Sequence, residues 1–481
     1  MDTQANVAVT LEPSTLIIFG ITGDLAHRKL LPALYYLSDQ GLLPAQLRIV
    51  GVTRHGITVP ELLQRVRTAV EETGKKANPQ ALTALGERVE IIEMDLLQPE
   101  AYLQLNQRLA AIEDEAGMCL NRLFYLAIPA QSFEPVIDQL GQGGLNKACK
   151  HGSSARLLIE KPFGYDLRSA QELIASLGRH FSEEQIYRID HYLAKETAQN
   201  ILTFRFQNPI FKQIWDRRSI SSITITAAES IDIEGRIGFY EQTGALRDLI
   251  QSHLLQLLAL TTMDEPSALT SNAIHRRKLA LLQDIMPIAP NKVATAAVRG
   301  QYEGYRAEVA NPDSNTETYA AIRLKIDSER WRGVPVVLRT GKALVKKVVE
   351  IRLVIATTDH LAKENVLTIR IQPDEGISLQ LFAKKPGFTE EVEPVQMDFD
   401  YDESFAGLAA QPDAYERVLM DAFRGDKTLF ATSDEVLASW RIIENVIQEW
   451  KKDGHDLHTY KRGSSGPPEA EALLTLVVKN N

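Results

Sequence analysis

The sequence has few cysteines, no long apolar run and no excess of positive charge. Its only cysteines are Cys119 and Cys149, and neither belongs to a CxxC pair, so a disulfide framework is excluded and a reducing cytoplasm is expected. No stretch approaches eighteen consecutive apolar residues, and the first fifteen residues lack a basic start followed by an apolar core. The sequence therefore predicts neither a transmembrane span nor a signal peptide.

The charge balance excludes one further class of function. The formal net charge is −10, with 53 Lys and Arg against 63 Asp and Glu. Nonspecific binding of DNA or RNA requires a basic surface, so no nucleic-acid partner is expected. The apolar content of 44% over 481 residues is that of a globular protein with more than one domain. A local basic pocket for a small phosphate remains compatible with this balance.

The first half alternates short apolar runs with helical patterns. The apolar runs are rich in Ile, Leu and Val and have the length of strands: LIIFG (16–20), LRIVGVT (47–53), VEIIEMDL (89–96), NRLFYLAIP (121–129), ARLLIEKP (155–162) and EQIYRID (184–190). Such strands, separated by helices, predict a parallel sheet that is covered on both faces. We therefore predict an α/β, doubly wound, Rossmann-like dinucleotide-binding domain over residues 1–189.

After residue 190 the pattern changes. SSITITAAES (221–230) alternates with a period of two, and a long helix is predicted over 243–263. Further strand patterns follow in TYAAIRLKID, GVPVVLRTG, VVEIRLVIAT, NVLTIRIQP and GISLQLFAKK. This order predicts a larger α+β domain with a mostly antiparallel sheet over residues 190–481.

The first strand leads into FGITGDLAHRKLL, a strand–turn–helix segment with two glycines. This layout brings backbone N–H groups to a pyrophosphate, which makes Gly20, Thr22, Gly23, Asp24 and Leu25 candidate cofactor-binding residues. The spacing departs from G-x-G-x-x-G, so a plain tight turn is the alternative reading. A kink or a short first helical segment is expected at Pro32.

The ends of the second and third strands supply further cofactor candidates. Arg54 follows strand two, where an arginine suits a 2′-phosphate and a carboxylate would suit a free ribose hydroxyl. NADP is therefore the expected cofactor, with NAD use also possible. Asp95 and Leu96 are expected to end strand three and border the adenine. Lys161, in IEKPFG, should lie at a strand end beside the nicotinamide, although a surface lysine is the alternative.

GITGDLA, IEKPFG and RIDHYLAKE together resemble the glucose-6-phosphate dehydrogenase family. The resemblance extends through ALRDLIQSHLLQLLAL, RGQYEGY, RWRGVPVVLRTGKAL and PDAYERVLMDAFRGD, and so covers roughly residues 14 to 475. It implies hydride transfer from C1 of glucose 6-phosphate to NADP⁺, with 6-phosphogluconolactone as the product. It also implies a homodimer or homotetramer. The chain departs from the family's usual residues at Ala194 and Ser252, where Gly and Asn are common.

The resemblance also assigns roles to site residues. It implies that His253 is the base, a role suited to imidazole, and that Asp190 orients it and stabilises the imidazolium. His191, Tyr192 and Lys195 correspond to the phosphate-binding group, and the four-residue spacing of His191 and Lys195 predicts one shared helix face. The remaining implied substrate-binding residues are Glu229, Asp248, Lys161, Lys342 and Lys347.

Two alternatives to this family agree with parts of the sequence. Asp248 and His253, about 140° apart on an α-helix, would flank a sugar; taken alone, Asp248 is also typical of a solvated surface acid and His253 of a core histidine. Another NADP-dependent sugar oxidoreductase would explain an EKP strand end and leave RIDHYLAKE unexplained. A non-catalytic regulatory subunit would be expected to lack the base or its partner, yet both residues are present.

Overall fold

The computed structural model describes residues 11–147, 153–356, 363–405, 412–452 and 456–475. The chain separates into two compact units. Unit 1 comprises the described residues through Phe163, together with Gln171–Ala194 and Pro412–Ser433. Unit 2 comprises Gly164–Ala170, the described residues from Lys195 up to 405, and those from Asp434 onward. The division at residues 189 and 190 stays a prediction from the sequence.

The described residues form the following elements. The strands are β1 (Ser14–Phe19), β2 (Leu47–Thr53), β3 (Val89–Glu93), β4 (Asn121–Leu126), β5 (Ala155–Ile159), β6 (Ile186–Ile189), β7 (Ile220–Ala228), β8 (Ile285–Met286), β9 (Ala297–Tyr302), β10 (Tyr319–Ile326), β11 (Val336–Gly341), β12 (Val348–Ile355), β13 (Asn365–Gln372), β14 (Gly376–Lys384), β15 (Val392–Asp400), β16 (Phe430–Ala431) and β17 (Leu457–Tyr460). The α-helices are α1 (Leu31–Asp39), α2 (Val59–Glu72), α3 (Pro79–Gly86), α4 (Pro99–Ala116), α5 (Phe133–Gln142), α6 (Leu167–Gly178), α7 (Glu196–Gln207), α8 (Pro209–Ile214), α9 (Ile237–Ala245), α10 (Leu255–Thr262), α11 (Ser271–Asp284), α12 (Val293–Ala296), α13 (Tyr305–Glu308), α14 (Tyr401–Ser404), α15 (Ala414–Arg424), α16 (Ser433–Trp450) and α17 (Glu469–Thr475). Two π-helices (Ala26–Leu30 and Leu246–Leu254) and three short 3₁₀ turns (Ala130–Ser132, Glu183–Gln185 and Pro290–Lys292) complete the set.

Unit 1 is built on a seven-stranded sheet in the order β16-β6-β5-β4-β1-β2-β3. β1 to β6 pair in parallel, and β16 adds antiparallel to β6 at one edge. β1, β4 and β5 are buried along their whole length, as expected for strands covered on both faces. The order reverses between β1 and β4, which is the switch point where ligands bind in such sheets. The Rossmann-like fold expected from the sequence is confirmed.

The segment after β1 contains the expected helix irregularity. A π-helix covers Ala26–Leu30 and passes directly into α1, which has Pro32 in its first turn. Proline has no backbone N–H to donate to the preceding turn, so an irregular helical segment before it is expected. The expected short first helical segment before Pro32 is confirmed.

Unit 2 is built on a ten-stranded sheet with the path β15-β14-β13-β12-β7-β11-β10-β9-β17, and β8 pairs with β10. Most neighbours are antiparallel, whereas β11 with β7 and β17 with β9 are parallel pairs. The mostly antiparallel sheet is confirmed. The sequence reading missed four of its strands: β8, β9, β15 and β17.

The long helix predicted over 243–263 is wrong in its detail. α9 ends where Gly244 adopts φ 62° and ψ 177°, the π-helix Leu246–Leu254 follows, and α10 completes the run. We call Leu246–Leu254 the second π-helix. The helix expected to carry both His191 and Lys195 is also wrong, because residues 191–194 form turns and α7 begins only at Glu196.

The expectation of reduced cysteines stays a prediction from the sequence. Cys149 lies outside the described residues. No helix of the described part combines the length and apolar character needed to cross a membrane.

Candidate active site

A cleft of about 520 Å³ opens at the carboxyl ends of the unit 1 strands. The side chains and backbone that line it follow β1, β2, β3 and β4. The predicted cofactor residues among them are Gly20, Thr22, Gly23, Arg54, Asp95 and Leu96. The position of the cleft beside the β1–β4 switch point agrees with the site that the sequence predicts for a dinucleotide.

The glycine turn leaves no room for a side chain at Gly20. Its φ is +82°, and a Cβ there would lie 2.6 Å from the carbonyl oxygen of Ala127. The N–H of Gly23 donates to the carbonyl of Gly20 at 2.9 Å, which closes the turn. A turn this tight lets backbone N–H groups approach a pyrophosphate, so these residues fit a dinucleotide.

Thr22, Asp24 and Leu25 belong to the same predicted turn but differ in their contacts. The hydroxyl oxygens of Thr22 and Thr53 are 3.2 Å apart, which ties the turn to the end of β2. Asp24 forms an exposed ion pair with Arg28 at 2.7 Å. Asp24 and Leu25 are not among the lining residues of the cleft, and their role in cofactor binding stays a prediction.

Arg54 is exposed at the end of β2, where it lines the cleft. The hydroxyl of Thr53 accepts from the N–H of His55 at 3.3 Å and donates to its carbonyl at 3.1 Å, which turns the chain immediately after the strand. The contact of Arg54 with a phosphate group stays a prediction. His55, also in the lining, was missed by the sequence reading.

Asp95 lies beyond the end of β3, which stops at Glu93, so the expectation that it closes the strand is wrong. Its carboxylate accepts from the N–H of Leu97 at 3.0 Å and shapes the loop that borders the cleft. The lining also includes Ile128, Gln131 and Ser132 after β4, which the sequence reading missed. Gln131 and Ser132 belong to the short 3₁₀ turn Ala130–Ser132, which no sequence pattern marked.

Lys161 follows β5 and precedes a cis peptide bond to Pro162. It is not a lining residue of the cleft. The neighbouring Glu160 has a pKa raised to about 7, because burial outweighs a hydrogen bond from Tyr125 and the positive charge of Lys161. Tyr125 donates to Glu160 at 2.5 Å, and Tyr415 is a second hydrogen-bond partner.

Asp190 follows β6 directly and is only 4% exposed. Its carboxylate accepts from the N–H of Tyr192 at 3.0 Å, and its carbonyl accepts from the N–H of Leu193 at 3.1 Å. The rings of His191 and Tyr192 meet edge to face, with centroids 5.0 Å apart. The aspartate therefore shapes the turn that presents His191 and Tyr192, and it does not cap α7.

In unit 2, Glu229 and Lys342 form one pair. The Lys342 ammonium is 2.5 Å from the Glu229 carboxylate, and the Lys342 side chain is 2% exposed. The Glu229 N–H donates to the carbonyl of Gly341 at 2.9 Å. A backbone hydrogen bond therefore joins the chain at Glu229 to the chain at Lys342, in addition to the ion pair of the two side chains. The Lys342 ammonium also lies 5.6 Å from the ring centre of Tyr240. Lys347 is exposed just before β12.

Asp248 and His253 both belong to the second π-helix. A π-helix forms i→i+5 hydrogen bonds, as in the bond here from the N–H of Leu255 to the carbonyl of Ile250. Residues five apart are therefore about one turn apart, and the expected 140° separation of Asp248 and His253 is wrong. The two residues share one face of the helix, and His253 is 1% exposed. The hydroxyl of Ser252 donates to the carbonyl of Asp248 at 3.0 Å.

Lys195 immediately precedes α7, with its ammonium 4.0 Å from the carboxylate of Glu375. The same carboxylate accepts from the N–H of Thr197 at 3.2 Å and from its hydroxyl at 2.7 Å. Glu375 therefore caps the start of α7 and lies beside Lys195. The sequence reading missed it, because the turn after β13 is 180 positions away in the chain.

Metal chemistry has no candidate ligand set in the described part of the chain. No group of three or more His, Cys, Asp or Glu side chains is arranged there to hold an ion.

Two family models match the chain. Residues 17–200 match the glucose-6-phosphate dehydrogenase NAD binding domain, and residues 202–479 match the glucose-6-phosphate dehydrogenase C-terminal domain. The glucose-6-phosphate 1-dehydrogenase of Treponema pallidum is 40% identical over 488 residues, covering 97% of this chain and 94% of the relative. That of Chlamydia muridarum is 39% identical over 489 residues, covering 96% and 95%.

Solved structures agree with these matches. A glucose-6-phosphate dehydrogenase in complex with its substrate glucose 6-phosphate has a TM-score of 0.89 at 32% identity, covering 97% of this chain and 98% of the other. The crystal structure of glucose-6-phosphate 1-dehydrogenase from Mycobacterium avium has a TM-score of 0.84 at 36% identity, covering 96% and 97%. With the sheet order, the glycine turn and the cleft, these matches establish that the chain belongs to the glucose-6-phosphate dehydrogenase family.

Proposed function

We propose that this protein oxidises D-glucose 6-phosphate at C1 to 6-phospho-D-glucono-1,5-lactone with NADP⁺, the first oxidative step of the pentose phosphate pathway. Family membership over nearly the whole chain is the observation that carries the proposal. The dinucleotide cleft of unit 1 supports it. So does the presence of every side chain that the family resemblance assigns to the chemistry.

His253 is the proposed base that takes the proton of the C1 hydroxyl. A base of this kind contributes about 10²–10⁴-fold to the rate. Asp190 is the proposed partner that orients the imidazole and stabilises its protonated form. Burial of both side chains supports these roles, since charges interact more strongly where water is excluded.

The remaining proposed substrate contacts divide by chemistry. His191, Tyr192 and Lys195 supply donors and positive charge for the phosphate dianion. Glu229 and Asp248 accept hydrogen bonds from sugar hydroxyls, and the ion pair of Glu229 with Lys342 holds an acceptor and a donor side by side. Lys161 and Lys347 are the further proposed contacts, with Lys161 between the sugar and the nicotinamide.

NADP⁺ accepts the hydride when bound, and NAD⁺ is a possible second cofactor. We propose that the backbone around Gly20 and Gly23 holds the pyrophosphate, with Thr22, Asp24 and Leu25 in the same turn. Arg54 contacts the 2′-phosphate, because a guanidinium offers two parallel donors to phosphate oxygens. Asp95 and Leu96 border the adenine.

Three further features belong to the same proposal. The substrate and oligomerisation region is residues 190–481, and the cofactor region is residues 1–189. The protein acts in the cytoplasm as a homodimer or homotetramer. The exposed apolar side chains of Val395 and Met397 on the edge strand β15 favour self-association of the large sheet.

An absorbance assay at the reduced-nicotinamide band tests the proposal, with glucose 6-phosphate and glucose each crossed with NADP⁺ and NAD⁺. Rapid reduction that requires the 6-phosphate is expected, faster with NADP⁺ than with NAD⁺ at low cofactor concentration. Equal rates with unphosphorylated glucose would instead indicate a different sugar oxidoreductase. No reduction with any combination would indicate a non-catalytic subunit.

A further inference from the structure

Glu317 lies two residues before β10 in unit 2, and it is only 5% exposed. Its surroundings are the start of the second π-helix, which carries Asp248 and His253. None of the roles assigned above to the sugar, the phosphate or the cofactor uses this carboxylate. A buried carboxylate needs partners, so its contacts indicate what it holds in place.

The contacts of Glu317 are with the first residues of the helix. Its carboxylate accepts from the N–H of Leu246 at 3.1 Å, and its carbonyl accepts from the N–H of Ala245 at 2.9 Å. The first N–H groups of a helix have no partner within the helix. Glu317 satisfies two of them, and a carboxylate is favoured there by the helix dipole.

Gly244 leaves the space that the carboxylate fills. Its φ of +62° with ψ of 177° is a conformation essentially restricted to glycine. A Cβ on Gly244 would lie 2.4 Å from a carboxylate oxygen of Glu317. The glycine at the break between α9 and the second π-helix therefore leaves room for the Glu317 side chain.

The residue after Glu317 holds a second substrate-binding segment. The carbonyl of Thr318 accepts from the N–H of Lys342 at 2.9 Å. The hydroxyl of Tyr460 is 2.8 Å from the Thr318 hydroxyl and donates to the carbonyl of Lys342 at 2.8 Å. Glu317 and Thr318 thus connect the helix of Asp248 and His253 to the segment of Lys342.

We propose that Glu317 is a positioning residue for the reaction: it fixes the start of the second π-helix and so sets where Asp248 and His253 stand relative to Lys342. The inference rests on the proposed function. Positioning of this kind affects rate strongly, since a displacement of about 1 Å can cost about a hundredfold. A positioning residue of this kind acts through the helix and does not itself contact the substrate.

Three substitutions at Glu317 test the proposal. Glu317→Gln retains an oxygen that accepts from Leu246, Glu317→Asp retains the charge but withdraws the carboxylate, and Glu317→Ala removes both. Glu308→Ala is the matched control, because Glu308 accepts from Tyr302 and Arg462 in the same unit. Steady-state kinetics and hydrogen exchange of the amides in residues 245–254 are measured for each variant.

The expected pattern separates positioning from general stability. In Glu317→Ala and Glu317→Asp, kcat/KM for glucose 6-phosphate should fall about tenfold to a hundredfold while the KM for NADP⁺ stays within about twofold. Exchange at 245–254 should be faster in both. Glu317→Gln and the Glu308→Ala control should stay close to wild type in both measurements.

Other results would overturn the proposal. Glu317→Asp at wild-type rate and exchange, or Glu317→Gln impaired as strongly as Glu317→Asp, contradicts it, and neither result depends on whether Glu317→Ala folds. Wild-type protein inactive on glucose 6-phosphate would instead remove the proposed function. In that case the exchange data alone would still decide whether Glu317 anchors the helix.

Discussion

At the scale of single residues, His253 shows how one side chain can satisfy two descriptions. It is buried in an apolar helix run, as a core histidine would be. It also shares a helix face with Asp248, because the π-helical turn brings residues five apart together. A structural histidine and a base differ in what their removal does to turnover.

Replacing His253 with Asn is expected to lower kcat by about 10²–10⁴-fold while the KM for glucose 6-phosphate changes little. Asparagine keeps a polar side chain of similar size but cannot accept the C1 proton. Steady-state kinetics with saturating NADP⁺ measure the effect, and circular dichroism checks the fold. A variant with turnover close to wild type would refute the assignment of the base.

Arg54 gives a separate prediction, which concerns the choice of cofactor. Arg54→Ala should raise the KM for NADP⁺ about tenfold to a hundredfold and that for NAD⁺ only slightly, because only NADP⁺ presents a phosphate to the lost guanidinium. Arg28→Ala is the matched control, since Arg28 forms an exposed ion pair with Asp24. Equal changes for both cofactors would rule out a 2′-phosphate contact.

The residues of the cofactor cleft were predictable only in part. Gly20, Gly23 and Arg54 were found because they directly follow apolar runs whose ends mark the ligand-binding edge of a parallel sheet. Gln131 and Ser132 were not found, since they lie in a short 3₁₀ turn after β4 that has no distinctive pattern. The sequence locates the strand ends better than the loops between them.

At the scale of elements, the second π-helix explains the main error. An apolar pattern over 243–263 is compatible with an α-helix or a π-helix. The π-helix has about one more residue in each turn than the α-helix, which changes the direction in which each side chain points but requires no different composition. Glu317 and Gly244 fix the helix start through contacts between segments 71 residues apart or more. Such contacts are not visible in a local pattern.

α11 and α16 are joined by a buried charge cluster of His275, Lys278 and Glu435. The Glu435 carboxylate accepts from Lys278 at 3.0 Å and is 2.9 Å from the Nδ1 atom of His275. Burial alone would raise the pKa of Glu435, but Lys278 and His275 outweigh it and lower the pKa to about 2. A depressed carboxyl pKa stabilises the fold above the pKa of the unfolded chain, and this contribution is lost as the pH falls towards about 2.

Glu435→Gln should therefore lower the free energy of unfolding by about 3–5 kcal/mol at pH 7, because Lys278 is left buried without its carboxylate. Urea unfolding measures the loss. The double variant Glu435→Gln with Lys278→Met is the control. It should recover most of the loss, because methionine removes the buried positive charge that Glu435→Gln leaves without a carboxylate. Equal losses in the single and the double variant would contradict a charge-pair origin.

At the scale of the whole molecule, a segment from late in the chain belongs to unit 1, and the order of elements along the sequence does not indicate this. Pro412–Ser433 belongs to unit 1 although it lies more than two hundred residues after the rest of that unit. β16 from this segment extends the sheet beside β6, and Arg156 donates to the carbonyls of Ala422 and Phe423 at the end of α15. A boundary drawn from changes in strand pattern along the chain cannot reveal such a return.

α15 also carries buried carboxyl groups whose raised pKa values predict that stability depends on pH. Burial raises the pKa of Glu416 to about 7 and that of Asp421 to about 6, and both residues lie on this helix. Tyr415, which precedes Glu416 on the same helix, is a hydrogen-bond partner of Glu160, whose pKa burial likewise raises to about 7. For a carboxyl with a raised pKa, stability is fully present below the pKa of the unfolded chain and is lost as the pH rises through the folded value.

Glu416→Gln should accordingly stabilise the protein at pH 8 by on the order of 1–3 kcal/mol and should have almost no effect at pH 4, because the amide carries no charge to bury at either pH. Chemical unfolding at the two pH values, followed by fluorescence, measures the difference. Glu71→Gln, which changes an exposed carboxyl of α2 in the same unit, should show no comparable gain. A gain in Glu416→Gln that is equal at both pH values would instead point to packing or hydrogen bonding, since only ionisation of the buried carboxyl makes the gain depend on pH.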